Sequence, residues 1–236
     1  MSTMGNSYWV EEDDRDRGIT VPEDILDISF RLEGTHLPID HAWDLSMAVQ
    51  SALPWIKEEP EAAIHQIHVA ASGNGWYRPE DKENEVLHLS RRTCLTLRIP
   101  SRRLDDTRPL SGITLDIGSH SVRLGASKTK KLSSLTTLFS RYVAGPEDEE
   151  RFMAFVASEL EQMEVPIRKM LCGKTNTIRT PEGELSTRSL MIADVDLRDA
   201  IALQRRGIGP HRLLGCGIVI PHKGIEAVKK AANEET

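Results

Sequence analysis

The stretch Gly207-Ile208-Gly209-Pro210-His211-Arg212-Leu213-Leu214-Gly215-Cys216-Gly217-Ile218-Val219-Ile220 decides how this 236-residue chain is read. Four glycines fall within eleven residues, a histidine and an arginine lie between the two pairs, and a β-branched run that reads as a strand follows. Glycine reaches positive φ freely, and its missing Cβ lets another backbone lie against it. Consecutive amides in such a turn can converge on one anion. The residues before the loop, Leu197 to Arg206, read as a helix capped by Asp196. The loop therefore joins helix to strand, the reverse of the strand–loop–helix order of nucleotide-binding motifs. That order argues against a nucleotide cofactor and leaves a backbone phosphate as the guest. The competing reading is a tight corner of helix-stop and strand-start glycines.

Upstream, Thr136–Val143 reads as a strand and Pro146–Met163 as an amphipathic helix opened by acids that suit its dipole. Met170–Cys172 through Ser186–Ala193 read as two strands around a turn at Pro181-Glu182-Gly183. With the closing helix, loop and strand, this half has the order β-α-β-β-α-β. The first half repeats it. Ile25–Leu32 alternates as a strand, Asp40 looks like the N-cap of a helix over Ala42–Leu53, and Ile64–Val69 reads as a strand. Val86 to Ile99 reads as one long strand, Arg102–Leu110 as a short helix, and Ile113–Ile117 with Ser121–Leu124 as a hairpin. The expectation is an α+β chain of two tandem ferredoxin-like (RRM-like) units. They run over residues 22–125 and 126–226, between a flexible acidic lead at 1–21 and a tail at 227–236. Ser127–Ser134 is read as a linker or basic hairpin.

Composition bounds the class. Hydrophobic residues make up 39% and charged residues 28%, enough for a core in a water-soluble chain. No run approaches the ~18 apolar residues of a membrane span, and the first residues carry no basic-then-apolar signal, so a cytoplasmic protein is expected. Cys94, Cys172 and Cys216 show neither zinc spacing nor a disulfide framework. The net charge of −6 conceals an asymmetry. Residues 1–62 hold fourteen acids against four Lys or Arg, and residues 91–145 hold eleven Lys or Arg against three acids. A phosphate chain responds to the field within a Debye length of ~8–10 Å, so the basic stretch reads either as an RNA surface or as solvated faces.

Several segments carry a resemblance: Leu37-Pro-Ile-Asp-His41-Ala42, Ala71-Ser-Gly-Asn-Gly75-Trp76, Leu87-His88-Leu-Ser-Arg91-Arg92, Thr187-Arg188-Ser-Leu-Met-Ile-Ala193-Asp194, and Gly207 through Gly217 with Ile220-Pro-His222-Lys223-Gly224-Ile225. Together they resemble the CRISPR-associated endoribonucleases that cut repeat transcripts into guide RNAs, members of the RAMP superfamily. The resemblance implies a metal-independent cut needing no cofactor, with the ribose 2′-hydroxyl as nucleophile. The ends would be a 5′-hydroxyl and a 2′,3′-cyclic phosphate. It also implies retention on the product beside other subunits of an effector complex, and no membrane partner.

Such a cut needs a base for the 2′-hydroxyl, an acid for the departing 5′-oxygen and charge stabilisation at phosphorus. Histidine suits the proton roles and cations or amides suit the charge role. The family places its base at the first helix or the loop before it, and His41 matches that position. The helix N-terminus favours the neutral imidazole a base needs. His36 is the reserve. His65 and His68 read as structural or RNA-contacting. Expected RNA contacts are Arg91, Arg92, Arg102, Arg103, Lys128, Lys130, Lys131, Arg188, Gly207, Gly209, His211, Arg212, Gly215, Gly217, His222 and Lys223, with Trp76 and Tyr77 as a stacking pair or as core. Two other classes compete: a non-catalytic RNA-binding subunit of a CRISPR complex, and a small-molecule enzyme on the same scaffold.

Overall fold

The computed structural model describes residues 20–69 and 86–222. The lead through residue 19, the Ala71–Trp76 segment, Tyr77, Lys223 and the tail lie outside the described residues. The chain is a mixed α and β protein with antiparallel sheets.

The first lobe is built on a five-stranded sheet. Its strands are β1 (Ile25–Glu33), β3 (Ala63–Ile64), β5 (Cys94–Pro100), β6 (Thr114–Ile117) and β7 (His120–Lys131), in the order β3-β5-β1-β7-β6. β2 (His36–Pro38) and β4 (Val86–His88) form a separate two-stranded sheet. Alternation along β1 sends Ile28, Phe30 and Leu32 into a core against Leu45 and Val49 of helix α1 (Ala42–Ala52). The buried residues of α1 recur at helical spacing, Ala42, Leu45, Ser46 and Val49.

The second lobe carries β8 (Leu138–Ala144), α2 (Glu149–Gln162), β9 (Lys169–Thr180), β10 (Gly183–Ala193), α3 (Leu197–Arg206) and β11 (Val219–Pro221), with strand order β11-β8-β10-β9. Asp148 caps α2 by accepting the Arg151 N–H at 2.9 Å. Phe152, Val156 and Leu160, one per turn of α2, pack on Leu138, Leu190 and Val219. A third cluster, Ala42, Tyr142, Ala144, Ile178 and Cys216, fills the seam between the lobes.

The first half departs from its expected elements in five places. Residues 86–99 form two strands in two sheets, because Ser90 and Thr93 close a turn between them: the Ser90 N–H donates to Thr93 Oγ1 at 3.0 Å and the Thr93 N–H to the Ser90 carbonyl at 3.0 Å. The strand expected at 64–69 shrinks to β3. The helix expected at 102–110 is two 3₁₀ turns, Ser101–Arg103 and Asp105–Leu110, the second containing Pro109. Asp40 is not the cap of α1; His41 occupies that position, and Asp40 turns to accept the Arg179 amide of β9 at 3.4 Å. Ser127–Lys131, read as part of a linker or basic hairpin, continues β7, which crosses the boundary drawn at residue 125. Its residues Ala126–Lys131 are exposed, so no apolar alternation marks the strand; pairing with Leu26–Phe30 of β1 holds it.

Candidate functional site

A cleft of about 290 Å³ opens along the seam between the lobes. The first lobe contributes His41, Gln66, Ile67 and His68; the second contributes Phe139, Arg141 and Tyr142 from β8, Lys174 and Asn176 from β9, and Ser189 from β10. Two imidazoles, a phenol and two cations therefore meet there.

His41 stands at the head of α1 and is only 2% exposed. Its Nδ1 lies 2.9 Å from the Pro38 carbonyl and 3.0 Å from that of Ile39, so Nδ1 carries the proton. Nε2 then presents a lone pair, which accepts the Ile67 amide at 3.0 Å. The ring is thus the neutral tautomer a base requires, with its basic nitrogen at the cleft wall and already holding one donor. His68 stacks on Tyr142 with centroids 5.8 Å apart and planes 26° from parallel. His36, the reserve, lies away from the cleft lining: it pairs with His88 across β2 and β4, the rings edge to face at 4.5 Å, and its Nδ1 bonds Thr35 Oγ1 at 2.9 Å.

At the glycine corner, read as a phosphate cradle, the four glycine amides already have acceptors within the fold. Gly207, Gly209, Gly215 and Gly217 all have φ between 66° and 81°, as expected of glycine, but their amides point inward. The Gly207 N–H donates to the Leu203 carbonyl, Gly215 to Arg212 and Gly217 to the Tyr142 carbonyl at 2.6 Å. The Gly209 N–H donates to the Glu159 carboxylate at 3.2 Å. His211, at φ 66°, is exposed, and its carbonyl accepts the Leu214 and Cys216 amides. Arg212 is spent on four main-chain carbonyls. Nε reaches Ala62 at 3.3 Å, Nη2 reaches Glu61 at 3.0 Å and Arg205 at 2.9 Å, and Nη1 reaches Arg206. Burial, with the nearby charge of Arg98, brings its pKa down to about 10.

Several other expected RNA contacts are occupied within the fold. Arg102 and Arg103 share the Glu59 carboxylate at 2.6 and 2.7 Å, and Arg103 also covers the Trp55 ring. Arg188 is 13% exposed and donates to the Glu147 and Gly173 carbonyls at 2.9 and 3.2 Å. Lys131 is paired with Glu23. Arg91 and Arg92 sit exposed in the turn before β5, and Lys128 and Lys130 are exposed on β7. His222 lies beside the cleft, its ring 5.9 Å from that of Phe139.

Sequence reasoning missed Tyr142, Lys174 and Asn176, undervalued His68, and held Ser189 only as a secondary candidate beside Arg188. Tyr142, Lys174 and Asn176 lie on two strands of the second lobe and His68 follows β3 of the first, so only the closure of the seam brings them together with His41. It also counted Arg98 among the eleven cations of residues 91–145, read either as an RNA surface or as solvated faces. Arg98 is 1% exposed: it forms a two-pronged bond with Asp27 at 2.8 and 3.0 Å, and its Nη1 donates to the Gln204 and Val219 carbonyls at 2.6 and 2.8 Å. It joins β1 and β5 of the first lobe to α3 and β11 of the second.

Known proteins share this architecture. A structure described as "CRISPR associated protein Cas6" superposes with a TM-score of 0.55 at 9% identity, over 84% of this chain and all of the other. One described as "An RAMP protein binding different RNA substrates" gives 0.54 at 18% identity, over 84% and 100%. A Cas6-related protein from Pyrococcus furiosus gives 0.52 at 14% identity, over 83% and 97%. In sequence, the CRISPR-associated endonuclease Cas6 of Myxococcus xanthus (strain DK1622) is 26% identical over 198 residues, 83% of this chain and 81% of its own. The family described as Cas6 Crispr matches residues 26–224, nearly the whole span from the first strand to beyond the last, and the chain belongs to that family.

Proposed function

We propose that the chain is an endoribonuclease that cuts CRISPR repeat RNA without a metal ion and stays on its product as a subunit of an effector complex. The observation that carries the reading is the cleft of a Cas6-family chain, where the neutral His41 ring meets His68, Tyr142 and Lys174. His41 Nε2 takes the 2′-hydroxyl proton. O2′ then bonds phosphorus, the P–O5′ bond breaks, and O5′ leaves as a hydroxyl after protonation by His68. The products are a 2′,3′-cyclic phosphate and a 5′-hydroxyl. The Lys174 ammonium, with Arg141, supports the charge gathering on the phosphoryl oxygens.

The lone pair of His41 already accepts a donor from Ile67, so substrate binding exchanges an amide N–H for an O2′–H on the same nitrogen. Such an exchange costs about one net hydrogen bond, ~1 kcal/mol. The two carbonyls on Nδ1–H stay in place and stabilise the imidazolium that forms. The strand orders support tandem ferredoxin-like units. With β6 set aside as an added edge strand, β3-β5-β1-β7 and β11-β8-β10-β9 follow one pattern, the first read from the opposite end.

The Ile67 bond to His41 favours a second reading, a chain that binds repeat RNA and leaves it intact. Incubation of the protein with its repeat RNA in EDTA separates the two. Cleavage with a cyclic phosphate end, lost in His41→Ala with binding retained, supports the enzyme. Intact RNA supports the binding subunit, and cleavage only with added Mg²⁺ removes the mechanism.

A further inference from the structure

We infer that the glycine-rich corner Gly207–Gly217 is a positioning joint that sets the two walls of the cleft against each other, and that Arg212 and Gln66 are its positioning residues. This rests on the RNA-cleaving reading. The corner touches both walls. On the first-lobe side, Gln66 Nε2 donates to the Leu214 carbonyl at 3.1 Å, and a Cβ on Gly215 would stand 2.6 Å from Gln66 Cγ. The next residue, Ile67, carries the amide that holds His41 Nε2. On the second-lobe side, the Gly217 amide holds the main chain of Tyr142, whose ring stacks on His68. A shift of the corner therefore moves both partners of the proton-transfer pair.

Arg212 fixes the corner to the seam. Of its four acceptors, Glu61 and Ala62 precede β3 in the first lobe, and Arg205 and Arg206 end α3 in the second. Only a planar fork with several N–H groups spans such a set; a lysine ammonium has one nitrogen. The amides of Gly207, Ile208, Leu214, Gly215, Cys216 and Gly217 donate to main-chain carbonyls within the protein, and the one at Gly209 faces a carboxylate. These are the contacts of a joint between the two lobes.

Single-turnover cleavage of repeat RNA, measured beside equilibrium RNA binding over a salt series, tests this in Arg212→Lys and Gln66→Ala. Misplacement of a reacting group by about 1 Å costs on the order of 100-fold in rate, so both variants should lose roughly 10- to 100-fold in the cleavage step. RNA affinity should stay within about 2-fold and the salt slope should be unchanged, because no phosphate contact is removed. A phosphate-contacting Arg212 gives the opposite split: lysine keeps the rate, and Arg212→Gln weakens binding and lowers the slope by about one. That result, or a wild-type rate in Gln66→Ala, overturns the inference. Should Arg212→Lys fail to fold by circular dichroism, Gln66→Ala decides alone, since its side chain makes a single hydrogen bond to the corner. A wild-type protein that binds but does not cut defeats the underlying reading, and the inference with it.

Discussion

Arg98→Met should cost more stability than any other single change of a charged residue in the described protein, and the cost should depend on pH in a defined direction. Arg98 holds Asp27 with two bonds across the β1–β5 register and satisfies two carbonyls of the second lobe. Methionine preserves much of the volume but takes the guanidinium away from a largely buried carboxylate and two main-chain acceptors. Removing one partner of a buried pair costs about 3–5 kcal/mol. At roughly 2–4 °C per kcal/mol for a chain of this size, the melting temperature should fall by on the order of 10 °C. In the wild type, burial alone would raise the Asp27 pKa. The Arg98 charge and hydrogen bonds from His65 and Arg98 outweigh burial and hold it well below the usual carboxylate range. A depressed folded-state pKa stabilises above the unfolded value of about 3.9, and that stabilisation is lost as pH falls through the folded value. In Arg98→Met the burial remains and only His65 is left to oppose it, so the Asp27 pKa rises from its wild-type value and its protonation relieves the variant on acidification. Urea unfolding at pH 8, 6 and 4.5 should show the gap between wild type and variant narrowing as pH falls. Asp27→Asn in the Arg98→Met background should recover part of the loss. A gap below about 1 kcal/mol at pH 8, or one that widens toward pH 4.5, refutes this account of the seam.

Three further outcomes follow from the same geometry. Gly217→Ala places a Cβ against the Ile208 carbonyl at φ 66°. The left-handed backbone alone costs about 1–2 kcal/mol for an L-residue, so a melting temperature lowered by at least about 4 °C is expected in scanning calorimetry. Burial pushes the Cys216 thiol up to about 12. Iodoacetamide at pH 8 should therefore modify Cys94 first, Cys172 more slowly because burial and Glu149 push its thiol up, and Cys216 only after unfolding, as read by peptide mass mapping. His68→Ala should slow repeat-RNA cleavage by about 100-fold, at the lower end of the range for general acid–base groups, with the loss lessened on a substrate whose 5′-leaving group needs no protonation.

The second lobe was legible because its signals are local. Helix α2 carries one buried residue per turn and an Asp148 cap, and Pro181-Glu182-Gly183 marks the β9–β10 turn with Gly183 at φ 128°. The first lobe hides its breaks. The turn between β4 and β5 uses Ser90 and Thr93 side chains and no glycine or proline, so an alternating pattern ran through it unbroken; a Ser-x-x-Thr spacing was the available signal. Glycine spacing identified the corner where φ turns positive, yet the direction of its amides depends on Glu159, Leu203 and Tyr142, far off in sequence. The cleft was half legible. His41 is set by its place at the head of α1, while Tyr142 and Lys174 reach it only through the packing of two lobes.

Charge asymmetry along the chain has a structural cause that also sets what remains for RNA. The acidic strand β1 lies between the basic strands β5 and β7. Register places Asp27 opposite Arg98 and Glu33 opposite Arg123, the latter pair 3.7 Å apart, while Glu59 takes Arg102 and Arg103 and Glu23 takes Lys131. Much of the apparent surplus of residues 91–145 is thus neutralised by residues 1–62 of the same chain. Lys128 and Lys130 form no ion pair among the described residues and project from the exposed end of β7. Binding of a phosphate chain releases about 0.7–0.9 counterions for each phosphate neutralised. Lys128→Ala with Lys130→Ala should therefore flatten the plot of log affinity against log salt by roughly 1.5. Arg102→Ala with Arg103→Ala should leave that slope unchanged, because those guanidinium groups already have a carboxylate. Equal slopes in the two double variants would show that pairing within the fold does not decide which cations meet RNA.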